Sequence, residues 1–190
     1  MKLVFATNNP NKIREVNDVL GGSFEIIGLQ DIGCTEELPE THDTIRENAQ
    51  EKARYVYENY GVNCFSEDSG LEIDALNGEP GVHTAHYSGS RDADANMQLV
   101  LDKMAGVTHR SARFRTVIAL ILNGREYLFE GTAEGSILTE KRGNGGFGYD
   151  PIFVPTGYEH SFAEMSSDIK NQISHRAKAT KALITFLNAI

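Results

Sequence analysis

Cysteine is scarce in this chain, positive charge is outnumbered, and no stretch stays apolar for long. Two cysteines in 190 residues, Cys34 and Cys64, are too few for a disulfide framework and have no partners at zinc-ligand spacing, so both are expected as reduced thiols in a cytoplasmic protein. The 18 Lys and Arg fall short of the 27 Asp and Glu, which leaves a formal charge of −9. A nucleic-acid polymer is bound through Lys and Arg that displace counterions, and an anionic membrane surface attracts the same residues, so charge speaks against both partners. No apolar run approaches the roughly 20 residues of a bilayer-spanning helix. The stretch from Met1 to Thr7 is too short for a signal peptide and runs into Asn8, Asn9 and Pro10, so none is expected. Internal repeats, low-complexity tracts and linkers are missing as well. A small polyanion is not excluded, provided the few basic residues converge.

What is present is a globular composition long enough for one domain over residues 1–190. A chain of this length buries roughly 70% of its unfolded surface and needs no covalent staples. The pattern predicts a strand over Lys2 to Thr7, then a helix carrying Ile13, Val16, Val19 and Leu20 that Gly21-Gly22 stops. A second strand is predicted over Phe24 to Leu29, and an acidic loop over 31–43. Ile45, Ala49, Ala53 and Tyr57 recur at helical spacing behind a possible capping box, Thr44 to Glu47. Val62 to Ser66 reads as a strand running into Glu67-Asp68-Ser69-Gly70, followed by a short apolar stretch, Leu71 to Leu76. Asp92 or Asp94 caps a helix bearing Met97, Val100, Leu101 and Met104. Ala112 to Leu122, Asn123-Gly124 and Tyr127 to Ile137 carry the best hairpin signal in the chain. A last helix is predicted from about Ser174. The whole reads as one α/β unit with a mixed sheet.

Gly143, Gly145 and Gly148 match the G-x-G-x-x-G spacing of a dinucleotide-binding turn. That mechanism needs a strand before the glycines and a helix after them. Here Tyr149-Asp150-Pro151 follows, and then a β-like run, so the stretch is expected to be a glycine-rich loop.

Three constellations carry chemistry. Thr7-Asn8-Asn9-Pro10-Asn11-Lys12 joins a strand to a helix, a junction that aims free backbone N–H groups and the helix dipole at an anion. By itself it reads better as a structural turn, since polar turns after strands are common. Glu67 and Asp68 are adjacent acids, and like charges this close imply a divalent cation or a raised pKa, unless they sit in a solvated turn. Lys170, His175 and Arg176 bracket the start of the last helix, where cations oppose the dipole unless an anion or a keto oxygen compensates. The alternative there is exposed Lys170 and Arg176 beside an ordinary His175.

In this order the chain holds Thr7-x-Asn9-x-x-Lys12-x-x-Glu15, Glu47-Asn48-Ala49-x-x-Lys52-Ala53, Asp68-Ser69-Gly70-Leu71, Gly146-Phe147-Gly148-Tyr149-Asp150-Pro151-Ile152-Phe153 and Lys170-x-x-x-Ser174-His175-Arg176. Together these resemble the inosine triphosphate pyrophosphatase family, the Ham1-like dITP/XTP or non-canonical purine triphosphate pyrophosphatases, over nearly the whole chain. The resemblance implies an α/β fold, an elongated mixed β-sheet flanked by helices, with two lobes, an active-site cleft between them, and a homodimer. It implies Mg²⁺-dependent hydrolysis of ITP, dITP and XTP to the monophosphate and pyrophosphate, with a nucleoside triphosphate as the only partner besides a second copy. Carried over by motif, Thr7, Asn8, Asn9, Pro10, Asn11, Lys12 and Lys52 contact phosphates. Glu40 and Asp68 hold the metal, Asp68 also serving as proton acceptor, and Ser69 touches substrate. Phe147, Gly148, Tyr149, Asp150, Lys170, His175 and Arg176 match nucleotide-binding positions. Two positions depart from the pattern. Glu67 stands where many relatives have a second Asp, and His86 where they often carry Arg, so His86 is left out of the site.

The chemistry suits the residues. Phosphoryl transfer needs charge neutralisation and a positioned water more than covalent help. Lys12, Lys52 and Lys170 supply positive charge, and Asp68 a base. Phe147 and Tyr149 offer rings for stacking on a base. Arg176, or N–H groups near it, offers a donor to a 6-keto oxygen that adenine would leave unpaired. Ser174-His175-Arg176 speaks against a dTTP/UTP pyrophosphatase of related fold.

Overall fold

The computed structural model describes residues 1–22 and 24–190. Its first strand, β1 (Lys2–Phe5), buries Leu3, Val4 and Phe5. Helix α1 (Pro10–Leu20) follows, with Asn9 as its N-cap, Pro10 as its first residue and left-handed Gly21 at its end. This order is favoured because the Asn side chain satisfies first-turn N–H groups and Pro has none to satisfy. Strand β2 (Glu25–Ile27) is shorter than predicted, since Leu29–Ile32 winds into a 3-10 turn.

Helix α2 (Ile45–Tyr60) buries Ile45, Ala49, Ala53 and Val56. The stripe steps to Val56 and not to the predicted Tyr57, as a 3.6-residue turn requires after successive steps of four. Thr44 Oγ1 accepts from Glu47 N at 3.1 Å and donates to the Glu47 carboxylate at 3.0 Å. The reciprocal half of the capping box therefore runs between side chains.

Strand β3 (Cys64–Ile73) is the largest departure from the sequence reading. The sequence ends the strand at Ser66 and leaves the acidic pair at its end, either with a cation or a raised pKa or in a solvated turn. Instead one ten-residue strand runs through the pair, with Glu67 fully buried and Asp68 nearly so. The strand persists because partners inside the fold match the Glu67 charge, removing the cost that would drive it to the surface.

Helix α3 (Ala93–Lys103) is capped by Asp92, whose carboxylate accepts from Asp94 N. Strands β4 (Ser111–Leu122) and β5 (Arg125–Ile137) form the predicted hairpin. At its tip Asn123 and Gly124 have φ of 50° and 80°, the paired positive values that a two-residue turn matched to strand twist demands. Strand β6 (Phe153–Pro155) comes next. The single predicted C-terminal helix is two, α4 (Ser167–Ile173) and α5 (His175–Asn188), parted by the extended backbone of Ser174.

The strands form one sheet in the order β2-β1-β3-β4-β5-β6. β1 runs parallel to β2 and β3, and β6 antiparallel to β5, so the sheet is mixed, as the resemblance implied. Among the described residues no helix is long and apolar enough to cross a membrane.

The chain divides into two compact units. The first comprises Met1–Asp68, Thr116–Gly131 and Arg176–Ile190. Its core gathers Leu3, Phe5, Val16, Phe65, Ile118 and Leu183, with the Phe5 and Phe65 rings stacked 4.4 Å apart. The second comprises Ser69–Arg115 and Thr132–His175. Its core is built on Leu71, Met97, Val100, Phe114, Phe153 and Phe162.

Candidate active site

In the first unit, α1 supplies Lys12 and Glu15, α2 supplies Lys52, β3 supplies Glu67 and Asp68, α5 supplies Arg176, and the loop before α2 supplies Glu40. Arg176 Nε and Nη2 donate to the two Glu67 oxygens at 2.5 and 3.2 Å, and Nη1 donates to Glu15 at 2.5 Å. Lys12 Nζ lies 2.9 Å from Glu67 Oε1. Burial opposes the Glu67 charge, but Arg176 and Lys12 outweigh it and hold the carboxyl well below the usual carboxylate range. The anion expected to compensate Arg176 at its helix start is thus supplied by the chain itself. The chemical reading offers Arg176, or N–H groups near it, as the donor to a keto oxygen. Here Arg176 is buried, with its guanidinium fork on Glu67 and Glu15.

Lys52 forms a second centre. Its ammonium donates to Glu40 at 2.7 Å and to the Glu67 carbonyl at 2.8 Å, and lies 3.7 Å from Asp68 Oδ1. Burial works against this ammonium, yet Asp68 and Glu40 raise its pKa. Asp68 moves the other way from Glu67. Burial pushes its pKa up to about 6, against the pull of Lys52 and Lys12 and with the push of Glu40 and Glu67.

The junction before α1 is a locally capped turn, the reading its residues favour on their own. Asn9 Oδ1 accepts from Asn11 N and Lys12 N, and Thr7 Oγ1 accepts from Asn9 N. With Pro10 lacking an N–H, these backbone donors are taken by local side chains, because Asn is among the best N-caps. The Lys12 side chain, about one-sixth exposed, reaches beyond this segment to Glu67.

Glu40 and Asp68 were assigned to a metal, and their chemistry fits one. Among the described residues no three His, Cys, Asp or Glu side chains gather as a ready cation cage. Mg²⁺, however, is commonly held by one or two carboxylates, with water and substrate phosphate completing its shell. Asp68, its pKa raised by burial and by neighbouring carboxylates, is a group that added positive charge would relieve. Glu67 is committed to Arg176 and Lys12.

In the second unit, Asp150 Oδ2 accepts from Lys170 Nζ at 2.7 Å and from Phe147 N at 3.0 Å. Asp150 and Lys170 are both buried, while Phe147 is half-buried with the Lys170 ammonium 4.9 Å from its ring centre. Gly146 is required here, since its φ is +65° and a Cβ would fall 2.1 Å from Asp150 Oδ2. Tyr149 had been paired with Phe147 as a stacking ring. It is a core residue instead, 3% exposed, with its hydroxyl on Thr84 O at 2.7 Å. Gly148 follows the Phe147 ring with φ +59°. His175 is buried and stacks on Phe114, with centroids 4.7 Å apart. Ser69 opens this unit's share of β3. The glycine stretch is a loop as expected, with Gly145 N donating to Ala163 O.

The sequence reading left Glu15 without a role although it ends the first motif. It also missed Asn48, Glu51 and Glu36, which bind the Glu40 loop to α2 and Tyr60. The signal was available in the helical spacing of 48, 51, 52 and 55.

The Ham1 family model matches residues 3–186. The chain is 53% identical to a dITP/XTP pyrophosphatase of Porphyromonas gingivalis, over 98% of this chain and 97% of the relative. It is 52% identical to a dITP/XTP pyrophosphatase of Flavobacterium johnsoniae, over 100% and 99%. Among solved structures it resembles a HAM1 protein from Coxiella burnetii, with a TM-score of 0.92 and 36% identity over the whole of both chains.

Proposed function

Because the chain belongs to the Ham1 family, we propose that it hydrolyses the non-canonical purine nucleoside triphosphates ITP, dITP and XTP to the monophosphate and pyrophosphate; two relatives are named dITP/XTP pyrophosphatases. The observation that carries this reading is the first unit's cluster, in which two lysines and a buried, poorly neutralised Asp68 meet beside Glu40.

Lys12 and Lys52 stand ready for triphosphate oxygens, each exchanging a carboxylate partner for a phosphate. Asp68 takes the proton of a water whose oxygen attacks the α-phosphorus, and the bond to the bridging oxygen breaks to release pyrophosphate. A raised pKa brings this base closer to neutrality, where proton acceptance is most effective. Mg²⁺ bound at Glu40 and Asp68 would neutralise charge on the triphosphate oxygens. Arg176, Glu15 and Glu67 orient Lys12. In the second unit, Phe147 is the ring offered for stacking, with Asp150 and Lys170 fixing the loop that presents it. Residues Thr7 to Asn11, Ser69 and Gly148 keep the contact roles the resemblance gives them, while Tyr149 and His175 are buried, on Thr84 and Phe114, and serve the second unit's core. The same reading includes a homodimer, which the resemblance implies, in a cytoplasm that would keep the buried thiols Cys34 and Cys64 reduced.

A screen of nucleoside triphosphates with Mg²⁺, reading pyrophosphate release, tests this. ITP, dITP and XTP are expected to turn over well above ATP, GTP, dTTP and UTP. Equal cleavage of ATP and GTP would defeat the specificity, and preferred pyrimidine turnover would reassign the enzyme. Asp68→Asn is expected to abolish turnover while retaining nucleotide binding; near-normal activity would remove Asp68 as the base.

A further inference from the structure

Residues 33–44, which carry Glu40, have no strand or helix of their own apart from the turn at Gly33. Backbone groups on the C-terminal side of Glu40 find partners on α2. Thr41 N and Thr41 Oγ1 donate to the two oxygens of Glu51 at 2.8 and 2.7 Å. His42 N donates to Asn48 Oδ1 at 2.8 Å, and Asn48 Nδ2 donates back to His42 O at 3.1 Å. On the N-terminal side, Glu36 Oε1 accepts from the hydroxyls of Tyr55 and Tyr60. Lys52 binds Glu40 itself. Asn48, Glu51, Lys52 and Tyr55 stand at i, i+3, i+4 and i+7, so a single polar stripe of α2 holds the loop.

The same helix also registers β3. Ser66 Oγ donates to Ala49 O, Cys64 Sγ to Ala53 O, and Lys52 Nζ to Glu67 O. Glu40 on the loop and Asp68 on β3 are thereby located against one rigid element whose other stripe is buried. The choice of Glu at 51 is informative. Thr41 presents two donors, and only a carboxylate accepts on both of its terminal atoms; an amide accepts on one.

The geometry points to Asn48 and Glu51 as positioning residues that set where Glu40 stands relative to Asp68. This rests on the reading of Glu40 and Asp68 as the cation-binding pair. Groups that orient metal-binding carboxylates typically cost ten- to a hundredfold in metal affinity or activity when removed. Each acts on Glu40 through its chain neighbours, Glu51 on the Thr41 amide and hydroxyl and Asn48 on the His42 backbone.

The test measures Mn²⁺ binding to the full chain by electron paramagnetic resonance, with a non-hydrolysable ITP analogue present, alongside melting temperature. Glu51→Gln, Asn48→Ala and Thr41→Val are each expected to weaken Mn²⁺ binding about tenfold or more, and Thr41→Ser to restore it. Adding Glu40→Gln to Glu51→Gln is expected to give no loss beyond that of Glu40→Gln alone, which a merely structural role would not produce. Wild-type Mn²⁺ affinity in Glu51→Gln and Thr41→Val, with affinity lost in Glu40→Gln, overturns the inference and leaves the reading of Glu40 intact. Wild-type affinity in Glu40→Gln overturns that reading as well. Should Asn48→Ala fail to fold, the isosteric Glu51→Gln decides the matter.

Discussion

The Arg176 guanidinium and the Glu67 carboxylate meet through two hydrogen bonds, with 2% and none of their side chains exposed. The pair stands on α5 and β3, and a third guanidinium nitrogen reaches Glu15 on α1. Removing one member of a buried charge pair leaves the other without compensation, typically a loss of about 3–5 kcal/mol. Arg176→Ala is expected to fall in that range by urea unfolding. Arg176→Lys should recover little of it, because an ammonium cannot serve three fixed directions as the planar fork does.

Asp68 gives the opposite sign. Its pKa stands near 6 in the folded protein, against 3.8 ordinarily, with burial as the main cause. The protonated carboxyl therefore favours the fold, a contribution fully present below pH about 4 and lost as pH rises through 6. Above that, ionised Asp68 destabilises the metal-free protein by at most about 3 kcal/mol. Asp68→Asn is expected to raise the melting temperature at pH 8, with the gain fading as pH falls below 6 and gone near pH 4. A gain independent of pH would contradict this.

Gly146 tests the second unit. An added methyl would fall on the Asp150 carboxylate that holds Lys170 and Phe147 N. Gly146→Ala is expected to lower kcat/KM for ITP by up to about a hundredfold, the scale set by an ångström of misplacement. Gly157→Ala is the control. Its φ is also positive, at +88°, but nothing lies within 4 Å, so only stability should change.

Much of the fold was legible where local chemistry decides it. Asn123-Gly124 named its own turn, and Thr44 to Ala53 announced both a cap and a buried face. The motif residues were legible as a set, but their division of labour was not. Glu67 looked like a turn residue because its partners lie 109 and 55 residues away, at Arg176 and Lys12, beyond the reach of any window. Tyr149 looked like a stacking ring because an aromatic residue beside a glycine reads alike whether it faces core or ligand. The Asn9 cap was hidden by its own suitability, since the residue type that would greet an anion also seals a helix start.

The unit boundaries fall at Asp68/Ser69, Arg115/Thr116, Gly131/Thr132 and His175/Arg176. Two of the four cut through motifs, parting neighbours joined by a single peptide bond. Exchange of one whole unit between relatives would need four crossovers, whereas a single crossover between Asp68 and Gly146 would part the phosphate-handling residues from Phe147, Asp150 and Lys170, at the cost of splitting both cores between two parents.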